Sequence, residues 1–168
     1  FVQSRCSPLP DTRKSVEQCS QLTFTIPQGA VPPGDHKVRV TNPDPAGCTS
    51  NNALDLYVKP PPTVASVAPS PVCTAQNGYP VTIQGSDFLT VNGSDPTVTI
   101  GGNSVTVTAV RNCTSTTQAN VQNCQTIDVD VPQGTLAQAG QITDNKVVVT
   151  NPAPADCKSD EAVFEKDV

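Results

Sequence analysis

The chain repeats itself, and that limits what it can fold into more than any other feature. Residues 35–48 (DHKVRVTNPDPAGC) recur as residues 144–157 (DNKVVVTNPAPADC), with ten of fourteen positions identical at a constant offset of 109. Upstream, residues 19–29 (CSQLTFTIPQG) align with residues 124–134 (CQTIDVDVPQG) at an offset of 105, so a four-residue insertion separates the two blocks in the later copy. A fixed period means one folding unit used again. The later copy, starting near Pro62, has about 107 residues, while the earlier one holds only what corresponds to about Ala109 onward. The expectation is therefore two modules: residues 1–60 as the C-terminal part of a first, and 61–168 as a complete second. A half-module of about 60 residues buries little and should be marginal by itself. Pro60-Pro61-Pro62 reads as a stiff connector, extended at roughly 3 Å per residue.

The residues between the repeats speak for strands. Aromatic content is 4%, Trp and Met are absent, and 17 prolines interrupt the chain too often for long helices. Gln21–Ile26 alternates Leu22, Phe24 and Ile26 with Thr23 and Thr25, as a half-buried strand should. Further strands are expected at 37–41, 53–59, 63–68, 79–85, 97–100, 104–110, 126–131, 146–150 and 162–165, with Gly101-Gly102-Asn103 as a tight hairpin turn. Seven short strands in the second copy, with turns at regular spacing, predict an all-β fold of immunoglobulin-like sandwiches, the first incomplete.

Seven cysteines with one histidine and no CxxC pair favour disulfides over zinc, and disulfides place the chain in an oxidising, extracellular compartment. Cys6, Cys19 and Cys48 correspond to Cys113, Cys124 and Cys157, and Cys73 has no counterpart in the first copy. The expected bridges are Cys113–Cys124, closing a short loop, and by analogy Cys6–Cys19. Elimination leaves Cys73 with Cys157, and Cys48 with its partner missing. Against the long bridge, an immunoglobulin-like topology puts Cys73 and Cys157 at opposite ends, beyond the roughly 5.5 Å between Cα atoms that a disulfide spans.

Catalytic chemistry finds little to stand on. His36 is replaced by Asn145 in the repeat, so a surface histidine is expected. Asp128 and Asp130 share a strand face, but their equivalents are Thr23 and Thr25, which points to a solvated face. Asp87, Asn92 and Asp95 could offer oxygen ligands to calcium, though without EF-hand spacing. Asn92-Gly-Ser94 and Asn112-Cys-Thr114 are glycosylation sequons. No nucleophile elbow or phosphate loop occurs, so no enzyme activity, cofactor or metal is expected. A net charge of −5 without clustered Lys and Arg argues against nucleic acid, and no apolar run is long enough to span a membrane.

Five ordered segments of the second copy, Pro62–Ser70 (PTVASVAPS), Pro80–Phe88 (PVTIQGSDF), Val98–Gly102 (VTIGG), Ile127–Gly134 and Val147–Pro152, resemble the IPT/TIG family of immunoglobulin-like domains. The first copy matches only the last two, at Leu22–Gly29 and Val38–Pro43. Such domains occur in receptor ectodomains, bacterial surface proteins, some extracellular enzymes and certain transcription factors. The resemblance implies a fold and a style of use, without catalytic residues. Cysteine density and acidity look like the surface-protein branch, since the basic loops of the DNA-binding branch are not matched.

The expected function is thus a non-catalytic spacer, adhesion or protein-binding repeat of a cell-surface or secreted protein. Contacts would run through loops 86–96, 111–123 and 151–160 at one end, including Asp87, Asn92, Asp95, Arg111, Asn112 and Asp156. The alternative is an accessory module of a secreted enzyme, binding carbohydrate.

Overall fold

The computed structural model describes residues 2–10, 16–27, 29–70, 78–135 and 145–164. Every regular element among them is a β-strand. In the first copy, β1 (Val2–Pro8) pairs with β2 (Glu17–Thr23), and β3 (Gly34–Val38) with β4 (Leu54–Val58), as separate two-stranded antiparallel sheets. The second copy contains β5 (Thr63–Ala68), β6 (Tyr79–Val91), β7 (Thr97–Ile100), β8 (Asn103–Arg111), β9 (Thr114–Ser115), β10 (Val121–Val131), β11 (Asn145–Thr150) and β12 (Ala162–Phe164). These run in the order β12-β11-β7-β8-β10-β6-β5, with β9 beside β10.

The ladder closes into two layers because β8 changes sheets. Asn103–Val105 pair with β7, whereas Thr106–Arg111 pair with β10. Strand alternation supplies the filling. Val81 and Ile83 of β6, Ile127, Val129 and Val131 of β10, Val98 and Ile100 of β7, and Val147 and Val149 of β11 all face one core with Phe88. Each such side chain contributes about 1.5–3 kcal/mol on burial. The polar residues between them, such as Asp128 and Asp130, point outward. This is the all-β sandwich that the strand pattern predicts.

Three glycines are required by geometry. Gly101 and Gly102 both have positive φ (57° and 82°), which the two-residue hairpin between β7 and β8 demands. At Gly85 a Cβ would lie 1.9 Å from the Thr63 carbonyl oxygen and 2.6 Å from the Phe88 ring, so only glycine lets β5 and Phe88 close in together.

Three expectations change. The expected loop 86–96 is mostly strand, because β6 continues through a buried Phe88 and Leu89 to Val91, which pairs with Val121 of β10. The expected loop 111–123 shortens likewise, since β9 and the start of β10 occupy much of it. Conversely, the strand expected over 21–26 stops at Thr23. Its equivalent in β10 is clamped between β6 and β8, while β2 pairs only with β1.

Cys6–Cys19 and Cys113–Cys124 are disulfide-bonded, each across neighbouring antiparallel chain segments. Cys157 is a free thiol donating to the Ala155 carbonyl, and so is Cys48 toward Ala46. Cys157 therefore does not bridge to Cys73, which lies outside the described residues. The ladder gives the reason: β6 starts at Tyr79 beside Val131, at the end of the sandwich away from the turn that follows Thr150.

The Cys113–Cys124 bridge closes an 11-residue separation beside the buried end of β10. Replacing both cysteines with Ala should cost about 2–3 kcal/mol by the loop-entropy relation, read as a lower urea midpoint of the second copy's transition.

Candidate functional site

The strand directions bring three loops to one end of the sandwich. Val91 pairs with Val121 and Thr150 with Thr97, so the segments 92–96, 116–120 and 151–160 leave their strands on the same side. They are tied together there. The Asn92 amide donates to the Asn120 carbonyl at 2.9 Å. Leu89, Val91 and Val121 form a small second core with Ala155 against it.

Asn151 fastens the third loop to β6. It is buried, its Oδ1 accepts from the Leu89 amide at 2.9 Å, and its Nδ2 donates to the Asp87 carbonyl at 2.9 Å. Beyond it the turn holds itself. The Asn151 amide reaches the Cys157 carbonyl at 2.9 Å, the Ala155 amide the Pro152 carbonyl at 3.1 Å, and Ser159 returns to Val149 through both backbone and hydroxyl. In the first copy Asn42, Cys48, Ala46, Pro43, Ser50 and Val40 make the same set of bonds. The recurring residues thus specify one turn by local bonding.

The structure divides the expected contact residues into two groups. Asn92, Asp95 and Asp156 are exposed at the loop end. Asn92 and Gly93 line a shallow open depression with Thr90, Asn120 and Gln122. Asp95, Asp156 and Asp160 give this end an acidic surface beside Lys158. Asp87, by contrast, is a brace: in the left-handed region at φ 58°, its Oδ1 accepts from Asn123 and its Oδ2 from Ser86. Asn112 donates to the Thr126 hydroxyl at 3.0 Å, and Arg111 lies over Asp128 on the outer sheet face. Among the described residues, the one convergent group of three His, Cys, Asp or Glu side chains is Cys6, Glu17 and Cys19, whose sulfurs are joined to each other. His36 is bonded to the Pro32 carbonyl at 2.7 Å.

Sequence reading treated Asn151 as the start of a turn and missed its inward role. The available signal was its recurrence as Asn42 within the block shared by the two copies. The ion pair was also missed. Arg111 Nε lies 2.6 Å from Asp128 Oδ2, its Nη2 2.7 Å from Oδ1, and Thr82 donates to the same Oδ1 at 2.8 Å. The hydrogen bond from Arg111 holds the Asp128 carboxyl below its ordinary value of 3.8, opposed by burial and aided by Thr82 and the Arg111 charge.

Two outcomes follow from these contacts. Asn151→Ala leaves a buried amide and a part-buried carbonyl without their side-chain partner and should cost about 2–4 kcal/mol in urea unfolding, while Asn42→Ala, at an exposed side chain, should change little. A carboxylate with depressed native pKa stabilises the fold above its unfolded pKa and loses that contribution as pH falls through the native value. Arg111→Ala should therefore raise the Asp128 pKa toward 3.8 in a carboxyl NMR titration. It should also cost about 0.2–1 kcal/mol at pH 7 and almost nothing once both carboxyl states are protonated.

Comparison with known proteins agrees with this geometry over the second copy. No curated protein and no solved structure matches the chain. Residues 62–165 match the model of the IPT/TIG domain family, from the opening of β5 to the end of β12. With its two-layered β-sandwich and more than half of its length covered by that match, the chain belongs to the IPT/TIG family.

Proposed function

We propose that the chain is a non-catalytic piece of an extracellular or cell-surface protein, a rigid spacer that presents one loop end to a protein partner. Residues 1–60 are read as the C-terminal part of one module and 61–168 as the next. The observation that carries this reading is the convergence of three loops, tied by Asn92–Asn120 and Asn151–Leu89 bonds, on a sandwich braced by a disulfide. Loops anchored in this way can vary in sequence without disturbing the core. The two disulfides favour an oxidising compartment.

The carbohydrate-binding alternative has less support. Sugar platforms are exposed aromatic rings, and segments 92–96, 116–120 and 151–160 contain no aromatic residue. Tyr79 and Phe88 are buried in the core.

Labelled chain should bind intact cells of its source organism, and protease treatment of the cells should abolish that binding. Asp95→Lys with Asp156→Lys should weaken it at least tenfold without lowering the unfolding midpoint. Glycan-array binding that survives these changes would favour the carbohydrate alternative, and absence of cell binding would sink the adhesion reading.

A further inference from the structure

The two glycosylation sequons stand in opposite surroundings, although each begins at an exposed asparagine with a left-handed backbone. Asn92 and Gly93 are the central pair of the turn that reverses the chain after β6. The Val91 amide donates to the Ser94 carbonyl at 3.0 Å, and the Ser94 amide to the Val91 carbonyl at 2.9 Å. Their φ angles of 51° and 79° are those of a type I′ turn, which Asn-Gly adopts readily. The backbone alone thus holds the turn. Among the described residues, nothing is hydrogen-bonded to the Asn92 side-chain amide or to the Ser94 hydroxyl, the two groups a sequon must offer.

In the other sequon both groups are engaged. Asn112 Nδ2 donates to the Thr126 hydroxyl at 3.0 Å, the Thr114 hydroxyl donates to the Asn123 carbonyl at 3.3 Å, and Cys113 between them is bridged to Cys124. A bridge across 11 residues closes locally, and once closed it holds the sequon against β10. An oligosaccharide on Asn112 would have to share Nδ2 with Thr126, a buried residue. The surface at Asn92 makes no such demand. The shallow depression beside it is lined by Thr90, Gly93, Asn120 and Gln122, which offer a hydroxyl and two side-chain amides and no ring. A free sugar gains little there, whereas a tethered one is held at high effective concentration and needs only donors and acceptors.

We propose that Asn92 is a site of N-linked glycosylation, that Asn112 is not, and that the first sugar rests in this depression. The donor is an oligosaccharide carried on a lipid diphosphate. Asn92 Nδ2 attacks the sugar C1, the C1–N bond forms as the C1–O bond breaks, the diphosphate leaves with the electron pair, and one Nδ2 proton passes to base. The inference rests on the extracellular reading above, because the transfer takes place on the secretory route, and not on the spacer or adhesion role.

The test secretes the 168-residue chain from a eukaryotic cell line and maps its peptides by mass before and after enzymatic deglycosylation, which turns a glycosylated Asn into Asp. One glycan is expected, at Asn92. Asn92→Gln and Ser94→Ala should each lower its occupancy at least tenfold, and Ser94→Thr should keep it. Asn112→Gln should leave the glycan in place and lower the urea midpoint, since the bond to Thr126 is lost. In NMR spectra the side-chain amides of Asn120 and Gln122 should shift with the glycan and return on its removal. A glycan at Asn112, or none at Asn92 in cells that modify a control protein, would overturn the inference, and unmoved resonances would overturn the resting place of the sugar. In protein isolated from its source, both disulfides formed without a glycan at Asn92 would overturn the inference and leave the compartment reading standing. Reduced cysteines there would sink the compartment reading and the inference with it.

Discussion

A β-strand in this protein persists only where a neighbour pairs with its backbone and a facing layer covers its apolar side. β10 meets both conditions, lying between β6 and β8 with Ile127, Val129 and Val131 packed against β7 and β11. The related stretch in the first copy has one neighbour, β1, and its ladder stops at Thr23. Sequence alternation describes a strand's capacity to pair, and the fold decides whether the capacity is used.

The sandwich converts that pairing into a platform. β8 carries the ladder from one layer to the other, Gly85 lets β5 lie against β6 and Phe88, and the small cluster of Leu89, Val91 and Val121 extends the core to the loop end. The buried Asn151 then holds the last loop to the long strand β6 through two hydrogen bonds. In a low-dielectric interior such a fully bonded polar side chain fixes one arrangement, because alternatives leave groups unpaired. The loop end is therefore bonded at its base, and Asn92, Asp95 and Asp156 are exposed at its rim.

Much of this was legible before any coordinates. The strands β5 and β7 and the Gly101-Gly102 hairpin fall where alternation and turn chemistry put them, and both short-range disulfides join the expected cysteines. Ser86–Val91 reads as loop in the sequence, whereas the strand runs on through Gly85, which marks a close approach of two backbones. Of the expected contact residues, Asp87, Arg111 and Asn112 are bonded to Asn123, Asp128 and Thr126. A polar side chain near a turn carries no local mark of whether its partner lies across the sheet or in solvent.

Local information, then, determined the period of the repeat, the strand pattern, the short disulfides and the self-bonded Asn-Pro turn, since each depends on residues within a few positions or on direct cross-strand neighbours. Tertiary structure alone decided which apolar rows are covered, which thiols are free, and which polar residues brace the loops rather than line them. Those outcomes depend on segments distant in sequence, such as Leu89 meeting Asn151, and distance in the chain leaves no periodic trace.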